Sequence, residues 1–484
     1  MKALQTTPFI RVTMNTISAS SLPGAALETR QMSTLLARRI LARMVADADR
    51  LPNLQSEAMD EYARWLADAA PFLRATGDAD LVTELERHLE ARDYAGTEVA
   101  VQEVCARLAV QSTRRDGKDL AGELLRQAAA VQQCVDTKFM SANEDLLGIK
   151  DNVDVTDEVL DSEKIDRLTS WLRTQFPSSP NLTISNVRAI PGGFSKQTLF
   201  LSIEGAEGVP EMLVVRMDWP EGPVDTTVVD EFDIVKTLLD AGVAVPFLHA
   251  LETTGAVLGS PFLLLDRVEG AHIGDFLDVS GGGTDVALDL AREMAALHAV
   301  PDSEFGDRVT GAHESVRDRL LREINECERD WRALDSPSIT LEIAFAWLKD
   351  NIELADGPRA LVHSDLGCHN MLVANDRVAA IIDWESARIG TPAQDLGYVY
   401  PAVTQICDWS DFMAAYLEAG GRALTKAQID YYTLWGFVWP LVNVCKARLG
   451  FETVYPDDIR MAYADAYLSI RFQSRLAGQL QSLL

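Results

Sequence analysis

The sequence predicts an α+β fold in which the strands are concentrated in one region between two helical ones. From residue 28 to about residue 145, apolar residues recur at spacings of three and four, which is typical of amphipathic helices. Residues 182–270 instead contain short apolar or alternating runs bounded by turn residues, which is typical of strands. Helical spacing returns after residue 287 and continues to the C-terminus, apart from short apolar runs between residues 360 and 382.

The first helical region, residues 28–150, is predicted to be an all-α domain of four to five helices. It has four sets of helically spaced apolar residues, which begin at Met32, Met59, Val101 and Leu120. It offers no group of catalytic residue types. Residues 1–27 have no acidic residue and no apolar segment suited to a secretory signal, and we predict a disordered leader there. A transit peptide and a start at Met14 are the alternatives.

The β-rich region opens with a helix near Ser162 and continues with strands at residues 182–188, 198–203 and 212–217. The turn between the first two strands contains Gly192, Gly193 and Ser195. Because glycine lacks Cβ bulk, such a turn can lie against phosphates, although glycine pairs are more often plain hairpin turns. Arg216 stands near the end of the third strand.

The most informative stretch runs from Leu361 to Glu385. It contains His363-x-Asp365, then four residues and Asn370, and later an apolar run that ends at Asp383. These polar residues follow or precede short buried strands, so they can converge on one ligand. One carboxylate can accept the proton of an attacking hydroxyl, and an amide oxygen with a second carboxylate can hold Mg2+ against nucleotide phosphates.

This pattern resembles the aminoglycoside phosphotransferase and choline kinase families, which share the protein-kinase fold and act on small molecules. Asp383 is followed by Trp384-Glu385 rather than by the Phe-Gly of protein kinases. The segment Gly390-Thr-Pro-Ala-Gln-Asp395-Leu-Gly also resembles a segment of these families, which implies that Asp395 orders the catalytic loop. The resemblance extends from about Asp161 to the C-terminus.

The resemblance implies a bilobal protein-kinase-like fold preceded by the all-α domain. The β-rich N-lobe would comprise residues 161–270, and the helical C-lobe, with the catalytic loop and acceptor pocket, residues 271–484. Asp365 would be the catalytic base, and Asn370 and Asp383 would hold Mg2+. Contacts to ATP would come from Arg216, Glu231, Gly192, Gly193, Ser195, and the interlobe hinge at Asp266 and Val268.

Two of these roles have alternatives. Arg216 occupies the place of the usual kinase Lys and keeps its positive charge. Glu231, near the start of a helix predicted at residues 229–241, either pairs with Arg216 or is there because acidic residues favour helix N-termini. Asp230 and Asp233 are rival partners for Arg216.

The sequence does not decide which small molecule is the acceptor. The resemblance is to members that phosphorylate hydroxyacyl-CoA compounds and to others that phosphorylate aminoglycosides or macrolides. We expect a kinase for a hydroxyl of a catabolic metabolite, with an antibiotic kinase and a catalytically silent binding module as alternatives. The sequence also does not decide between a monomer and a homodimer.

Composition excludes several other classes of protein. A net charge of −29 argues against a nucleic-acid partner, because a phosphate backbone would be repelled. No apolar run approaches the roughly 20 residues that span a bilayer, so no membrane association is expected. Six cysteines without a Cys-x-x-Cys pair favour reduced thiols and a cytoplasmic location.

Overall fold

The computed structural model describes residues 27–112, 118–141, 160–189, 196–218, 226–305, 309–334, 336–453 and 459–484. Within these ranges, side chains are not described for residues 27–50, 118, 119, 139, 141, 448–453 and 459–467. The predicted leader therefore lies outside the described residues except for Leu27, where the first helix begins. No described helix is both long and apolar enough to cross a membrane.

The N-terminal region contains four described helices: α1 Leu27–Thr76, α2 Ala79–Glu90, α3 Tyr94–Ser112 and α4 Lys118–Ser141. Two of the four predicted apolar sets lie on α1, because this helix continues through Pro52, which stands between them. The predicted inward positions Met59, Tyr62 and Trp65 are buried, as is Val104 on α3. The helical spacing thus identified the packed face correctly.

The N-lobe is a five-stranded antiparallel sheet with a helix on each face. Its elements are α5 Ser162–Gln175, β1 Thr183–Ala189, β2 Lys196–Glu204, β3 Met212–Asp218, α6 Val228–Asp240, β4 Leu248–Glu252 and β5 Phe262–Asp266. The strand order is β1-β2-β3-β5-β4. Leu264 packs in the cluster that includes Leu168 of α5, whereas Leu263 packs with Val228 of α6. Successive side chains of a strand face opposite sides, which explains the apolar run of β5.

The C-lobe is mainly helical, with two small ladders that carry the catalytic loop. Its helices are α7 Thr284–Ala299, α8 Val316–Ala333, α9 Ile339–Asp350, α10 Pro392–Val403, α11 Trp409–Glu418, α12 Lys426–Thr453 and α13 Ile459–Leu483. Its strands are β6 Ala360–Val362, β7 Met371–Ala374, β8 Arg377–Ile381 and β9 Arg388–Gly390. β6 pairs with β9 and β7 with β8, both antiparallel. The predicted fold class is confirmed.

The N-terminal helices pack on the C-lobe and share one hydrophobic cluster with it. This cluster joins Trp65 and Val104 to Phe345 of α9 and Tyr431 of α12. Gln102 accepts from the backbone N–H of Ser338 at 2.9 Å and donates to Glu342 at 3.0 Å. The predicted domain boundaries stay a prediction. The N-terminal helices are packed against the C-lobe and do not form an isolated unit.

Candidate active site

The catalytic loop joins β6 to β7 and is held from below by Asp395 on α10. The Asp395 carboxylate accepts the backbone N–H groups of His363 and Ser364, both at 2.8 Å. Its Oδ2 also lies 3.2 Å from His298 Nε2. Burial raises the pKa of Asp395, but the hydrogen bond and charge of His298 outweigh it and lower the pKa. This anchoring holds Ser364 at φ +70°, a left-handed backbone that only surrounding contacts keep in place.

Asp365 projects from this loop and is surrounded by hydrogen-bond donors. Tyr398 O–H donates to its Oδ1 at 2.5 Å, and the Asn370 side-chain amide donates to Oδ2 at 3.0 Å. His369 Nε2 is 3.5 Å from Oδ2. Burial opposes ionisation, but His369 and Tyr398 hold the pKa of Asp365 below its ordinary value. Asp365 is therefore an oriented carboxylate at neutral pH.

Asp383 lies next to Asn370 because of the β7–β8 ladder. Met371 pairs with Ile381, and the Ile382 N–H donates to the Asn370 carbonyl at 2.9 Å. The Ile382 carbonyl is also 3.0 Å from His363 Nε2. Asp383 itself has φ +68°, so the chain turns sharply there. The residues predicted as metal ligands are thus brought to one end of the ladder.

Arg216 connects the two lobes at this point. It lies on β3, paired with Thr198 of β2 and Leu263 of β5, in the middle of the sheet. Its Nε is 3.0 Å from Glu231 Oε2, and its Nη2 is 2.5 Å from Asp383 Oδ1. Burial lowers the pKa of Arg216, but the carboxylates of Glu231 and Asp383 more than compensate and raise it.

The alternatives for Glu231 are resolved in favour of the contact with Arg216. Glu231 is buried on α6 and faces the sheet. Asp230 has a different task, since it forms a capping box with Thr227 at the start of the helix. No ion pair joins Asp230 to Arg216 among the described residues.

Lys196 and Glu385 complete the cluster, and the sequence analysis missed both. Lys196 begins β2 directly after the glycine turn, is 3% exposed, and donates to the Thr226 carbonyl. Its Nζ is 3.1 Å from Asp218 Oδ1 and 4.0 Å from Glu385 Oε2, which also lies 3.5 Å from Arg216. A lysine after a glycine turn is an available signal, but nothing in the sequence indicates that this one is buried.

The donor set fits Mg2+ supplied together with a phosphate ligand. The Asn370 amide nitrogen donates to the Asp365 carbonyl and carboxylate, which leaves the amide oxygen for another partner. Asp383 uses Oδ1 for Arg216. In the described part of the chain, no group of three or more acidic, His or Cys side chains could hold a metal alone. Mg2+ commonly takes one or two protein ligands and completes its shell with phosphates and water.

The remaining predicted nucleotide contacts are only partly described. Gly192, Gly193 and Ser195 lie outside the described residues. Asp266 ends β5 at the start of the interlobe connection, and its carboxylate is 2.6 Å from His249 Nε2. Val268 follows two residues later in an irregular segment.

Two clefts meet at Tyr398, beside Asp365. The first lies between the loop and α12 and is lined by Ser364, Arg388, Gln394, Tyr398, Tyr432, Trp435, Gly436, Trp439 and Pro440. The second shares Tyr398 and Gly436 with it and has mostly apolar walls, including Phe276 and Phe472. Among the aromatic residues of α12, Tyr431 is fully buried in the core, and Trp435 and Trp439 line the first cleft.

Comparison with known proteins places this site in a family. The family model of the phosphotransferase enzyme family matches residues 186–432, more than half of the 484-residue chain. A solved structure from Ralstonia eutropha, provisionally assigned as an aminoglycoside phosphotransferase, superimposes with a TM-score of 0.50. It is 19% identical and covers 66% of this chain and 98% of its own, so the likeness shows the fold.

Three curated relatives each match half of the chain or less. Acyl-CoA dehydrogenase family member 11 of Gallus gallus is 29% identical over 242 residues, which are 48% of this chain and 29% of that protein. The protein of the same name in Rattus norvegicus is 26% identical, and the match covers 50% of this chain and 32% of that protein. Hygromycin-B 4-O-kinase of Escherichia coli is 26% identical over 123 residues, 23% of this chain and 35% of its own. The chain thus spans less than a third of the acyl-CoA dehydrogenase relatives.

Proposed function

Because the chain belongs to the phosphotransferase enzyme family, we propose that it transfers the γ-phosphoryl group of ATP to a hydroxyl of a small molecule. The observation that carries this proposal is the contact of Arg216 with Asp383 at the end of the ladder where Asn370 donates to Asp365. Arg216 comes from the N-lobe and Asp383 from the C-lobe, so the site forms only when the lobes are together.

In this proposal, Asp365 orients and deprotonates the acceptor hydroxyl. Its donors hold the carboxylate in one orientation, and its lowered pKa keeps it ionised, so it can accept a hydrogen bond from the acceptor hydroxyl. As the new bond from the acceptor oxygen to γ-phosphorus forms and the bond to ADP breaks, the hydroxyl proton passes to Asp365. In such reactions most of the rate comes from positioning and charge neutralisation.

Arg216 and Lys196 are assigned to the nucleotide phosphates. Lys196 is buried on β2 and Arg216 is half-buried on the neighbouring strand β3, and both lie within 4.0 Å of the Glu385 carboxylate. Asn370 and Asp383 would hold Mg2+, which when bound neutralises charge on the phosphates. Backbone groups at Asp266 and Val268 are assigned to adenine, and Gly192, Gly193 and Ser195 to the phosphates.

The acceptor is proposed to be a hydroxylated metabolite, free or as a CoA thioester. The relatives named acyl-CoA dehydrogenase family member 11 support this choice over an antibiotic, because those of Gallus gallus and Rattus norvegicus match about twice as much of the chain as the hygromycin kinase does. The charge of the first cleft, considered below, supports it independently.

Replacement of Asp365 by Asn tests the proposal. We expect ATP affinity by calorimetry to be retained and acceptor-dependent ADP release to fall by roughly 10²- to 10⁴-fold, because an oriented base is lost. Asp376→Asn is the control, since Asp376 lies in the exposed β7–β8 turn, at the other end of the ladder from the site, at φ +58°, which Asn tolerates. Near-normal turnover by Asp365→Asn would contradict the role of Asp365. A wild-type protein that binds ATP without phosphorylating any acceptor would be a binding module.

A further inference from the structure

The first cleft contains a cation that the proposed reaction does not use. Arg388 of β9 pairs in register with Val362 of β6 and lines the cleft beside Ser364 and Tyr398. Its side chain is 17% exposed. Its Nε donates to the Ser386 carbonyl at 2.9 Å and its Nη1 to Glu323 at 3.0 Å. No described residue accepts a hydrogen bond from Nη2, which leaves that group available to a ligand.

The positive charge at this point is only partly neutralised. Arg319 of α8, 0% exposed, lies behind Arg388 and donates from Nη1 to the same oxygen, Glu323 Oε1, at 2.7 Å. Two guanidinium groups therefore share one carboxylate oxygen. The other oxygen, Glu323 Oε2, is buried without a hydrogen-bond partner among the described residues.

The other nearby carboxylate does not face the cleft. Asp395 is close enough to favour the charged form of Arg388, but both its oxygens accept loop N–H groups. Burial lowers the pKa of Arg388, and the charge of Arg319 adds to this effect. A bound anion would offset both the burial of Arg388 and its repulsion by Arg319, because it supplies a counter-charge in a site with little water.

The rest of the lining is neutral. The first cleft presents hydroxyl, amide and aromatic groups, including Tyr432, Trp435 and Trp439, and the second cleft is likewise lined only by uncharged residues. Neither cleft is lined by an acidic side chain among the described residues. A polycationic sugar buries ammonium groups and needs carboxylates to do so at acceptable cost. This lining does not provide them.

We propose that Arg388 binds an anionic group of the acceptor, so that the substrates are hydroxyl compounds carrying a carboxylate or a phosphate rather than aminoglycosides. The aromatic wall of α12 would cover the apolar part between the anion and the hydroxyl. This inference rests on the proposed kinase function and specifies its substrate class. Tyr398 links the two groups, because it lines the cleft together with Arg388 and donates to the Asp365 carboxylate at 2.5 Å. An acceptor bound in this cleft would therefore lie between the cation and the base.

The test compares matched acceptors on wild-type protein with Mg-ATP. The panel contains unbranched hydroxycarboxylates of three to eight carbons, the methyl ester of each, the CoA thioester of each, and aminoglycosides. We expect ADP release with the free acids or with the CoA thioesters, and loss of activity with the methyl esters. Activity with the acids assigns Arg388 to a carboxylate, and activity with the thioesters alone assigns it to a CoA phosphate.

Variants of Arg388 show whether the anion is bound there. Arg388→Gln should raise KM for the active anionic acceptor by about 10- to 100-fold with a much smaller effect on kcat, since a charge-assisted hydrogen bond from Nη2 is lost. Arg388→Lys should recover part of the loss, because the charge returns without the fork. Arg329→Gln is the control, since Arg329 on α8 has a side chain that is 72% exposed and forms a surface ion pair with Asp330.

Several outcomes would overturn the inference. They are turnover of methyl esters equal to that of the acids, turnover of an aminoglycoside alone, turnover of no anionic acceptor, and an unchanged KM in Arg388→Gln. The proposed function fails separately, since it requires ATP binding and phosphorylation of some hydroxyl acceptor, whatever its charge.

Discussion

Asp395 and Asp136 are both fully buried carboxylates, yet their protonation differs. Burial raises the pKa of each. At Asp395, the hydrogen bond and charge of His298 and the loop N–H groups reverse that effect. At Asp136, on α4, the main donor is the neutral Gln132 amide at 2.9 Å, Oδ2 has no hydrogen-bond partner among the described residues, and the pKa rises to about 8. The number and charge of the donors, rather than burial, decide whether a buried acid is an anion.

Asp395→Asn should have the largest effect, because it breaks a buried charge pair and places an N–H₂ group against loop N–H donors. We expect a loss of about 3–5 kcal/mol in the free energy of unfolding. Urea titration measures it, with Asp411→Asn, in the exposed first turn of α11, as control. A variant as stable as wild type would show that the donors around Asp395 do not require its charge.

Asp136→Asn should stabilise the protein at alkaline pH. Between the ordinary carboxyl pKa and about 8, the folded chain keeps a proton on Asp136 that the unfolded chain releases, so this residue makes stability fall as pH rises. Asn cannot ionise, and the gain at pH 8 should be on the order of a few kcal/mol, with a smaller gain at pH 5. Thermal unfolding at both pH values measures this, with exposed Asp68→Asn as control. Equal effects at the two pH values would contradict a raised pKa.

Tyr398→Phe should have the smallest effect, limited to the pH dependence of catalysis. Asp365 would lose one donor to its charged form, so its pKa would rise and the acidic limb of kcat/KM would move to higher pH by about one to two units. The control is Tyr431→Phe, which removes a hydroxyl that donates to the Leu348 carbonyl in the core. An unmoved acidic limb would mean that Tyr398 does not set the ionisation of Asp365 or that Asp365 is not the base.

The sequence was sufficient to predict those site residues that lie close together along the chain. Asp365, Asn370 and Asp383 are brought together by a loop and one short ladder, so their spacing predicts their meeting. Contacts that depend on packing were not predictable. Tyr398 reaches Asp365 from α10, 33 residues away, and Arg388 lines the first cleft only because α10 and α12 enclose it. The pairing of Glu231 with Arg216 lay between these cases, since helical spacing left Asp230 as a rival.

The packing of the N-terminal helices on the C-lobe has a consequence for synthesis of the chain. Gln133 on α4 bonds to the Ser474 carbonyl on α13, 341 residues further on, and Arg126 bonds to the carbonyl of Leu484. A ribosome therefore releases α1–α4 long before their packing partners exist. The apolar surface that these helices bury against the C-lobe stays uncovered for that interval, which lasts tens of seconds at about 5–20 residues per second. That surface is therefore open to misassembly until the C-lobe has emerged.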